Sequence, residues 1–139
     1  MSVEYNKEHP IAGPTIDPDN EGFWEGVKRQ ELVFQRCKGC GEYSHPPRPM
    51  CPNCRSLEKE WSPSSGKGTI HSWVTYQEAP HPGFKVPYSV VLVELEEGVR
   101  LVSNLVDVKP EEITIGMPVE VVFDQVTDEM VLPKFRKAG

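Results

Sequence analysis

The feature that most constrains this chain is a pair of C-x-x-C motifs. Cys37 and Cys40 form the first motif, Cys51 and Cys54 form the second, and ten residues separate the two. This spacing lets four thiolates converge tetrahedrally on one metal ion, and a site filled by four protein sulfurs leaves no open coordination position for chemistry. Gly41 follows the first motif, and glycine readily adopts the left-handed conformation such a turn needs. The sequence therefore predicts one structural Zn²⁺ bound by these four cysteines.

Three other interpretations of the four cysteines compete with structural zinc. Disulfides would suit an oxidising compartment. A four-thiolate iron centre of the rubredoxin type has compatible spacing. A redox-active C-x-x-C would require a thioredoxin-like βαβ pattern, which the flanking sequence lacks. Nothing else in the sequence suggests electron transfer, so zinc is favoured.

Charge and hydropathy exclude several broad classes of protein. The chain has 139 residues, with 21 acidic and 15 basic side chains and a formal net charge of -6. This balance gives no general attraction to nucleic acid or to an anionic membrane. No apolar run approaches the ~20 residues of a membrane span, and the start, MSVEYNKEHP, lacks the pattern of a secretion signal. We therefore expect a cytoplasmic protein whose thiols stay reduced.

Composition divides the chain into three segments. Residues 1–18 mix proline, glycine and charged residues without periodicity, which predicts an extended N-terminal arm. Residues 19–62 form the expected helix and zinc-ribbon domain, with a short helix over about 19–30 and a strand over about 32–36. The stretch SPSSGKG is typical of a linker and marks the predicted boundary with an OB-fold domain at 63–139.

The segment after the linker is rich in β-branched and aromatic residues, as in TIHSWVTY, YSVVLVEL and VEVVF. Closing several short antiparallel strands into a small barrel protects their edges. The predicted fold class is therefore mainly β: a short N-terminal helix and a rubredoxin-like zinc ribbon, followed by a five-stranded OB-fold barrel. The expected strands lie near 68–78, 87–95, 99–106, 117–125 and 130–135, with a tight hairpin at Glu96-Glu97-Gly98 and a helical turn near 109–113.

The histidines do not form a catalytic set. None is spaced with a carboxylate, serine or cysteine in a way that resembles a general base or a nucleophile pair. We therefore predict no catalytic residue and assign structural or surface positions to His9, His45, His71 and His81.

Three side chains near the ribbon are candidates for contact with a partner. Phe23 and Trp24 share the aromatic face of the predicted helix, and in so small a chain the surface that covers this face is expected to belong to a partner. Arg48 lies in the proline-rich loop between the cysteine motifs, where it could pair with an acidic partner or remain a solvated charge.

Two further segments contain candidate ligand contacts. The segment 79–88 is long and stiff for a hairpin loop, and its side chains could hold an aromatic base and a phosphate, although core packing of its aromatic rings is an alternative. The C-terminal LPKFRK is basic and aromatic in an acidic protein, which indicates an anionic ligand group, an acidic partner surface or a solvated tail. The candidates are Phe84, Lys85, Tyr88, Lys134, Phe135 and Arg136.

Taken together, these motifs resemble one known family. The segments FWEG, CKGCGEYSHPPRPMCPNC, GKGTIHSWVTY, VPYSVVLVELEEGVRLVSNLVD, IGMPVEVVF and LPKFR are similar to the zinc-ribbon and OB-fold family of acyl-CoA-associated proteins over about residues 20–137. The resemblance implies a small accessory subunit that pairs with a thiolase-like enzyme, in a hetero-oligomer of two plus two subunits. The partner would then contribute the catalytic residues, the ribbon would dock on it, and the barrel would shape the entrance to its CoA or acyl pocket.

The same resemblance implies a class of reaction. Members of the family support thiolytic or retro-aldol cleavage and acyl transfer on CoA thioesters, with mevalonate-type substrates, sterol side chains and benzylsuccinate-pathway aromatic degradation among the examples. Two other functions remain open. Zinc ribbons and OB barrels often bind single-stranded nucleic acid, against which the charge of -6 argues. A rubredoxin-like electron carrier would hold iron in place of zinc.

Overall fold

The computed structural model describes Tyr5, Glu8 and residues 11–139. His9 and most of the first ten residues of the expected arm lie outside this part of the chain. In chain order the elements are helix α1 (Glu21–Lys28) and strands β1 (Val33–Cys37), β2 (Tyr43–Ser44), β3 (Lys59–Pro63), β4 (Lys67–Tyr76), β5 (Tyr88–Leu95), β6 (Arg100–Val106), β7 (Pro118–Gln125) and β8 (Val131–Lys137).

Helix α1 is shorter than the predicted range of 19–30. Before the helix, the side-chain carboxylate of Asp17 accepts the backbone N–H groups of Asp19 and Asn20, each at 2.9 Å, and so forms a turn that precedes the first helical residue. After it, Gln30 has a φ of 60° and the N–H of Glu31 donates to the carbonyl of Gly26 at 2.8 Å. This left-handed residue ends the helix and directs the chain into β1.

The zinc-ribbon segment contains a three-stranded antiparallel sheet in the order β2-β1-β3. The predicted strand at 32–36 is confirmed by β1. The sequence did not predict β3, and part of the expected linker belongs to it: Ser62 pairs with Phe34, and Pro63 pairs with Val33. Proline is tolerated here because β3 is an edge strand of this sheet.

The five strands expected after the linker are confirmed as β4 to β8. They form a closed barrel in the order β4-β5-β6-β8-β7. The barrel closes where β4 pairs with β7, with Gly68 opposite Val119, and where β6 runs parallel to β8, with Leu105 opposite Phe135. The turn at 96–98 joins β5 to β6, and a 3-10 turn at Pro110–Glu112 takes the position of the expected helical turn.

One buried cluster joins the ribbon to the barrel. It contains Phe23 and Phe34 from α1 and β1, together with Ile70, Val91 and Phe135 from the barrel and other apolar residues. Because both parts bury side chains against each other, the ribbon is held on the barrel by a shared core. The division of the chain at 62/63 remains a prediction.

The segment between β3 and β4 is anchored to the β5–β6 turn. The carboxylate of Glu97 accepts the hydroxyl of Ser64 at 2.5 Å and the backbone N–H of Ser65 at 3.1 Å. These two contacts fix the direction in which the chain enters the barrel. Over the described part of the chain, the single α-helix is far too short to cross a bilayer.

Candidate metal centre

The first C-x-x-C motif forms a tight turn at the end of β1. The backbone N–H of Gly41 donates to the carbonyl of Cys37 at 2.9 Å, and the N–H of Cys37 donates to the carbonyl of Glu42 at 2.9 Å. Gly41 has a φ of 79°, as the sequence predicted. Within the turn, the N–H of Gly39 points at the sulfur of Cys37 at 3.3 Å. The turn therefore directs backbone N–H groups at the sulfur that a metal ion would use.

The second motif repeats these hydrogen bonds. The N–H of Arg55 donates to the carbonyl of Cys51 at 2.9 Å, and the N–H of Cys51 donates to the carbonyl of Ser56 at 2.9 Å. Arg55 has a φ of 66° and occupies the position that Gly41 has in the first motif. A non-glycine residue in this conformation is uncommon, and the two hydrogen bonds of the second turn hold Arg55 in it.

The four sulfur atoms lie close together. The Sγ atoms of Cys37 and Cys54 are 3.5 Å apart, those of Cys40 and Cys51 are 3.7 Å apart, and all four lie within 4.8 Å of one another. Four sulfurs bound tetrahedrally at about 2.3 Å have neighbours about 3.8 Å apart. The observed distances therefore suit a four-coordinate ion at the centre of the cluster.

The charges of the thiols also favour a cation. The backbone N–H of Cys40 is the main cause that lowers the pKa of Cys37 to about 6. The backbone N–H of Ser56 lowers the pKa of Cys54, but the neighbouring thiols, led by Cys37, outweigh it and raise that pKa to about 12. Four thiolates cannot all ionise this close together unless a metal ion compensates their charge.

Among the residues that the structure describes, this is the one group of three or more Cys, His, Asp or Glu side chains arranged to hold a metal ion. Two of its cysteines, Cys37 and Cys51, are buried, and Cys40 and Cys54 are exposed. The site offers four sulfur ligands, which fill a tetrahedral coordination sphere. It can therefore hold the ribbon together but offers no open coordination site for catalysis.

The expected partner contacts differ in their surroundings. Phe23, which the sequence placed on a partner surface, is instead only 4% exposed and packs on the rings of Phe34 and His45, with centroid distances of 6.5 and 5.3 Å. Trp24 is half-buried and lines two surface grooves beside the helix, with volumes of about 260 and 360 Å³. Arg48 is exposed, and its backbone N–H donates to the side-chain carbonyl of Gln35 at 2.9 Å. Of the three, Trp24 and Arg48 are accessible.

The candidate ligand contacts of the β4–β5 loop are only partly exposed. Tyr88 is 8% exposed, because its ring stacks between those of Phe84 and Tyr76 at 5.3 and 5.0 Å. Lys85 is exposed on the loop. The aromatic pair therefore packs on the chain itself, as the alternative interpretation of the sequence allowed.

The C-terminal candidates are not a solvated tail. Phe135 is fully buried in the main core, and Lys134 is 1% exposed, with its ammonium 2.6 Å from the carboxylate of Asp124. Arg136 is exposed and donates to the carboxylate of Glu120 at 2.9 Å. The positive charges of Lys134 and Arg136 are thus paired within the chain, because β8 is a barrel strand whose side chains meet those of β7.

Sequence reasoning missed two residues of this region. Tyr5 lies in the expected arm, yet its hydroxyl accepts a hydrogen bond from Lys134. Asp124 is the carboxylate partner of the same lysine. No periodicity marks Tyr5, and a charged residue in a strand such as Asp124 is by default solvent-exposed, so neither could be found without the register of β7 and β8.

Models of a known family match both parts of the chain. The rubredoxin-like zinc ribbon domain of ChsH2 matches residues 24–60, and the C-terminal OB-fold domain of ChsH2 matches residues 61–124. Together these matches run from the helix through the cysteine motifs to the end of β7. They agree with the zinc ribbon and OB fold that the sequence predicted.

Known proteins of similar sequence and structure include three informative examples. A solved structure described as "Ltp2-ChsH2(DUF35) aldolase" has a TM-score of 0.87 and 44% identity, covering 91% of this chain and 99% of the other. Benzoylsuccinyl-CoA thiolase subunit BbsA of Thauera aromatica is 31% identical over 111 residues, which cover 76% of each protein. A probable enoyl-CoA hydratase alpha subunit of Thermomonospora curvata is 44% identical over 139 residues, or 98% of this chain.

The chain spans a different share of each of these proteins. It covers 99% of the matched chain in the solved structure but only 44% of the length of the Thermomonospora protein. The shared part contains both cysteine motifs and the barrel. The chain therefore belongs to the ChsH2-like DUF35 family, in which a rubredoxin-like zinc ribbon is followed by an OB-fold domain.

Proposed function

We propose that this chain is a non-catalytic accessory subunit that binds one structural Zn²⁺ and docks on a thiolase-like enzyme. In the complex, two copies of each subunit support thiolytic or retro-aldol C–C cleavage, or acyl transfer, on a CoA thioester. The observation that carries the proposal is the match along 99% of a chain of a solved structure described as "Ltp2-ChsH2(DUF35) aldolase". Substrates of the benzylsuccinate pathway, sterol side chains and mevalonate-type acyl groups are the classes we would test first.

The chemistry of the chain supports a non-catalytic role. Thiolysis and retro-aldol cleavage need a nucleophile or a general base beside the substrate. Its four cysteines are grouped in the metal cluster, and His45 is half-buried between the rings of Phe23 and Phe34. Catalytic groups are therefore expected from the partner, and the Thauera relative, itself a thiolase subunit, is consistent with this division of labour.

A docking role suits the accessible surface beside the ribbon. Trp24 is half-buried between two grooves, and one of these is also lined by Pro46, Pro47, Leu132 and Pro133. Tryptophan and rigid apolar side chains are the residues that most often anchor protein interfaces. We expect the partner to cover this surface and the exposed Arg48, which would place the barrel near the CoA or acyl pocket.

Contact between the barrel and CoA is a finer part of the proposal. Lys85 is exposed on the β4–β5 loop and remains the best candidate for a phosphate contact. Arg136 would have to leave Glu120 to bind an anion, and Lys134 is buried with Asp124. Binding of an anion by β8 would therefore require one of these two ion pairs to open.

Co-expression with a thiolase-like protein encoded beside this chain tests the proposal. We expect a stable complex on size-exclusion chromatography with light scattering, and cleavage of a CoA thioester only by the complex. Trp24→Ala should weaken assembly by about tenfold or more, as loss of a central aromatic anchor does. Leu57→Ala, at a side chain 67% exposed on the ribbon, is the matched control. Failure of every thiolase-like candidate to bind the zinc-loaded chain would overturn the proposal.

Hydration is a second candidate reaction, because the Thermomonospora relative is a probable enoyl-CoA hydratase alpha subunit. That protein is more than twice as long as the matched region, so its activity need not reside in the shared part. Assaying the same complex for hydration of an enoyl-CoA and for C–C cleavage distinguishes the two. Nucleic-acid binding is less well supported, because the net charge is -6 and both Lys134 and Arg136 are paired with carboxylates.

A further inference from the structure

The outer face of the barrel has a second buried cluster, separate from the main core. Side chains alternate along β5, so that Val91 and Val93 point inward and Tyr88 points outward. Tyr88 and Val106 are nevertheless buried, and Tyr5, Phe84, Val90 and Val122 pack around them. An outward-facing ring is buried only if another part of the chain covers it. Here the cover consists of the β4–β5 loop and a residue of the N-terminal arm.

Lys134 lies at the polar end of this cluster. Adjacent side chains of a strand point to opposite faces. Because its neighbour Phe135 points into the core, Lys134 points to the outer face of the barrel. Its ammonium is nevertheless almost fully buried and donates to Asp124 at 2.6 Å and to the hydroxyl of Tyr5. Burial of an ammonium is unfavourable unless charge and hydrogen bonds compensate it. Asp124 supplies the charge, and Tyr5 supplies a further oxygen.

Tyr5 contacts both sides of the cluster at once. Its ring lies 5.7 Å from that of Phe84, and the two residues form an antiparallel β-bridge. Its hydroxyl meets Lys134, whose ammonium is 4.4 Å from the ring centroid. The two residues are 129 positions apart in the chain, so the contact is not a by-product of local geometry.

The hydroxyl of Tyr5 stays protonated in this position. Burial, assisted by the charge of Asp124, raises its pKa to about 12. A protonated phenol can accept a hydrogen bond while it keeps its own proton, so the Tyr5 hydroxyl accepts from the ammonium of Lys134 without adding a second negative charge near Asp124. A ring without a hydroxyl could pack on Phe84 but could not accept the hydrogen bond from Lys134.

We propose that Phe84, Tyr88, Lys134 and Asp124 form a binding slot for a phenol ring, that Tyr5 fills this slot, and that its occupancy latches the β4–β5 loop onto the barrel. The ligand class follows from the two kinds of surface in the slot. The ring of Phe84 packs on the phenol ring at an interplanar angle of 51°, with Tyr88 in the same apolar cluster, and the ammonium of Lys134 donates to the hydroxyl. The proposal is independent of the partner enzyme and of the reaction it performs.

The proposal predicts that Tyr5→Ala opens the loop and that a free phenol closes it again. Measured on the full zinc-loaded chain, backbone hydrogen exchange in 79–88 should rise by about tenfold on loss of the ring and its charged hydrogen bond. Lys134 should become reactive toward an acylating reagent read by mass spectrometry. Adding p-cresol should restore both kinds of protection, whereas toluene, which has the same ring and methyl group without the hydroxyl, should not.

A second variant separates the hydroxyl from the ring. Tyr5→Phe keeps the packing on Phe84, so exchange in the loop should rise less than in Tyr5→Ala while Lys134 still gains reactivity. Tyr43→Phe is the matched control, because its hydroxyl bonds to Ser62 in the ribbon, 3.3 Å away, and is remote from the slot. Equal loop exchange in wild type and Tyr5→Ala, or equal rescue by toluene and p-cresol, would overturn the assignment.

Discussion

Removal of the metal should destabilise the whole chain and not only the ribbon. Cys37 is the last residue of β1, and Phe34, three positions earlier in the same strand, is fully buried in the cluster shared with the barrel. Loss of the metal frees the end of β1 and the two cysteine turns. The packing of Phe34 on Phe23 and His45 then loses its support. We therefore expect one unfolding transition that shifts as a unit.

The size of the shift follows from linkage. A ligand that binds only the folded state stabilises it by about 2.7 kcal/mol when its free concentration is about 100 times its dissociation constant. For a chain of this size, about 1 kcal/mol moves the midpoint by about 2–4 °C. Stripping the metal should therefore lower the melting temperature by about 5–10 °C relative to protein in that excess of zinc. A larger excess of free zinc over its dissociation constant increases the shift in melting temperature.

The measurement compares stripped, zinc-loaded and Cys37→Ser protein by differential scanning calorimetry, with metal content determined on each sample. Loaded wild type should contain one zinc per chain and melt in a single transition. Cys37→Ser should melt near the stripped wild type, and added zinc should change its midpoint by much less. Leu57→Ala, in the segment between the second cysteine motif and β3 and 67% exposed, should respond to zinc as wild type does.

Two results would refute this reasoning. Equal melting temperatures for stripped and loaded wild type would mean that the four sulfurs do not hold an ion that stabilises the fold. A separate low-temperature transition for the ribbon, with the barrel transition unchanged, would mean that the shared core does not couple the two parts. A red, iron-containing preparation would in turn replace zinc by a rubredoxin-type centre.

Three further perturbations test the packing around this framework. Gly68→Ala should cost about 1–3 kcal/mol in urea denaturation, because its Cβ would lie 2.4 Å from the backbone carbonyl oxygen of Glu94 and force β4 from β5; an unchanged midpoint contradicts the register. Glu97→Ala should lower the free energy of unfolding by about 1 kcal/mol, because Ser64 loses its hydrogen-bond acceptor at a half-exposed site. A much smaller decrease would show that the linker is not anchored at Glu97. Burial lowers the pKa of His45, so the unfolded chain binds this proton more strongly than the folded chain does. The free energy of unfolding should therefore fall as the pH is lowered from about 7 to about 5.5. His45→Leu should reduce this fall in metal-saturated protein, and an identical pH slope in the variant would contradict the reasoning.

The parts of the fold that the sequence predicted are those with a local signal. The spacing of the four cysteines specifies the metal cluster without knowledge of the rest of the chain. The runs that became β4 to β8 are rich in β-branched and aromatic residues and are separated by turn residues, so their positions could be predicted to within a few residues. Closure into a barrel followed from the need to protect strand edges.

The parts that the sequence did not predict depend on long-range register. Ser62 and Pro63 have the composition of a linker, yet they pair with β1 because that strand offers an unpaired edge. The sequence predicts a partner surface over Phe23 because so short a chain has little core of its own, but Phe34 and the barrel cover this ring. Lys134 carries a charge that is normally solvated, and only the alignment of β8 with β7 brings it to Asp124.

The arrangement of the two halves connects the metal cluster to the proposed docking surface. Trp24 follows Phe23 in the helix, so the side chain that anchors α1 in the shared core also fixes the ring that faces the grooves. The position of Phe23 depends in turn on Phe34 and hence on the strand that ends at Cys37. A rigid surface reduces the entropy lost on docking. The metal, although remote from any chemistry, would thus favour assembly by holding the docking surface in one conformation before the partner binds.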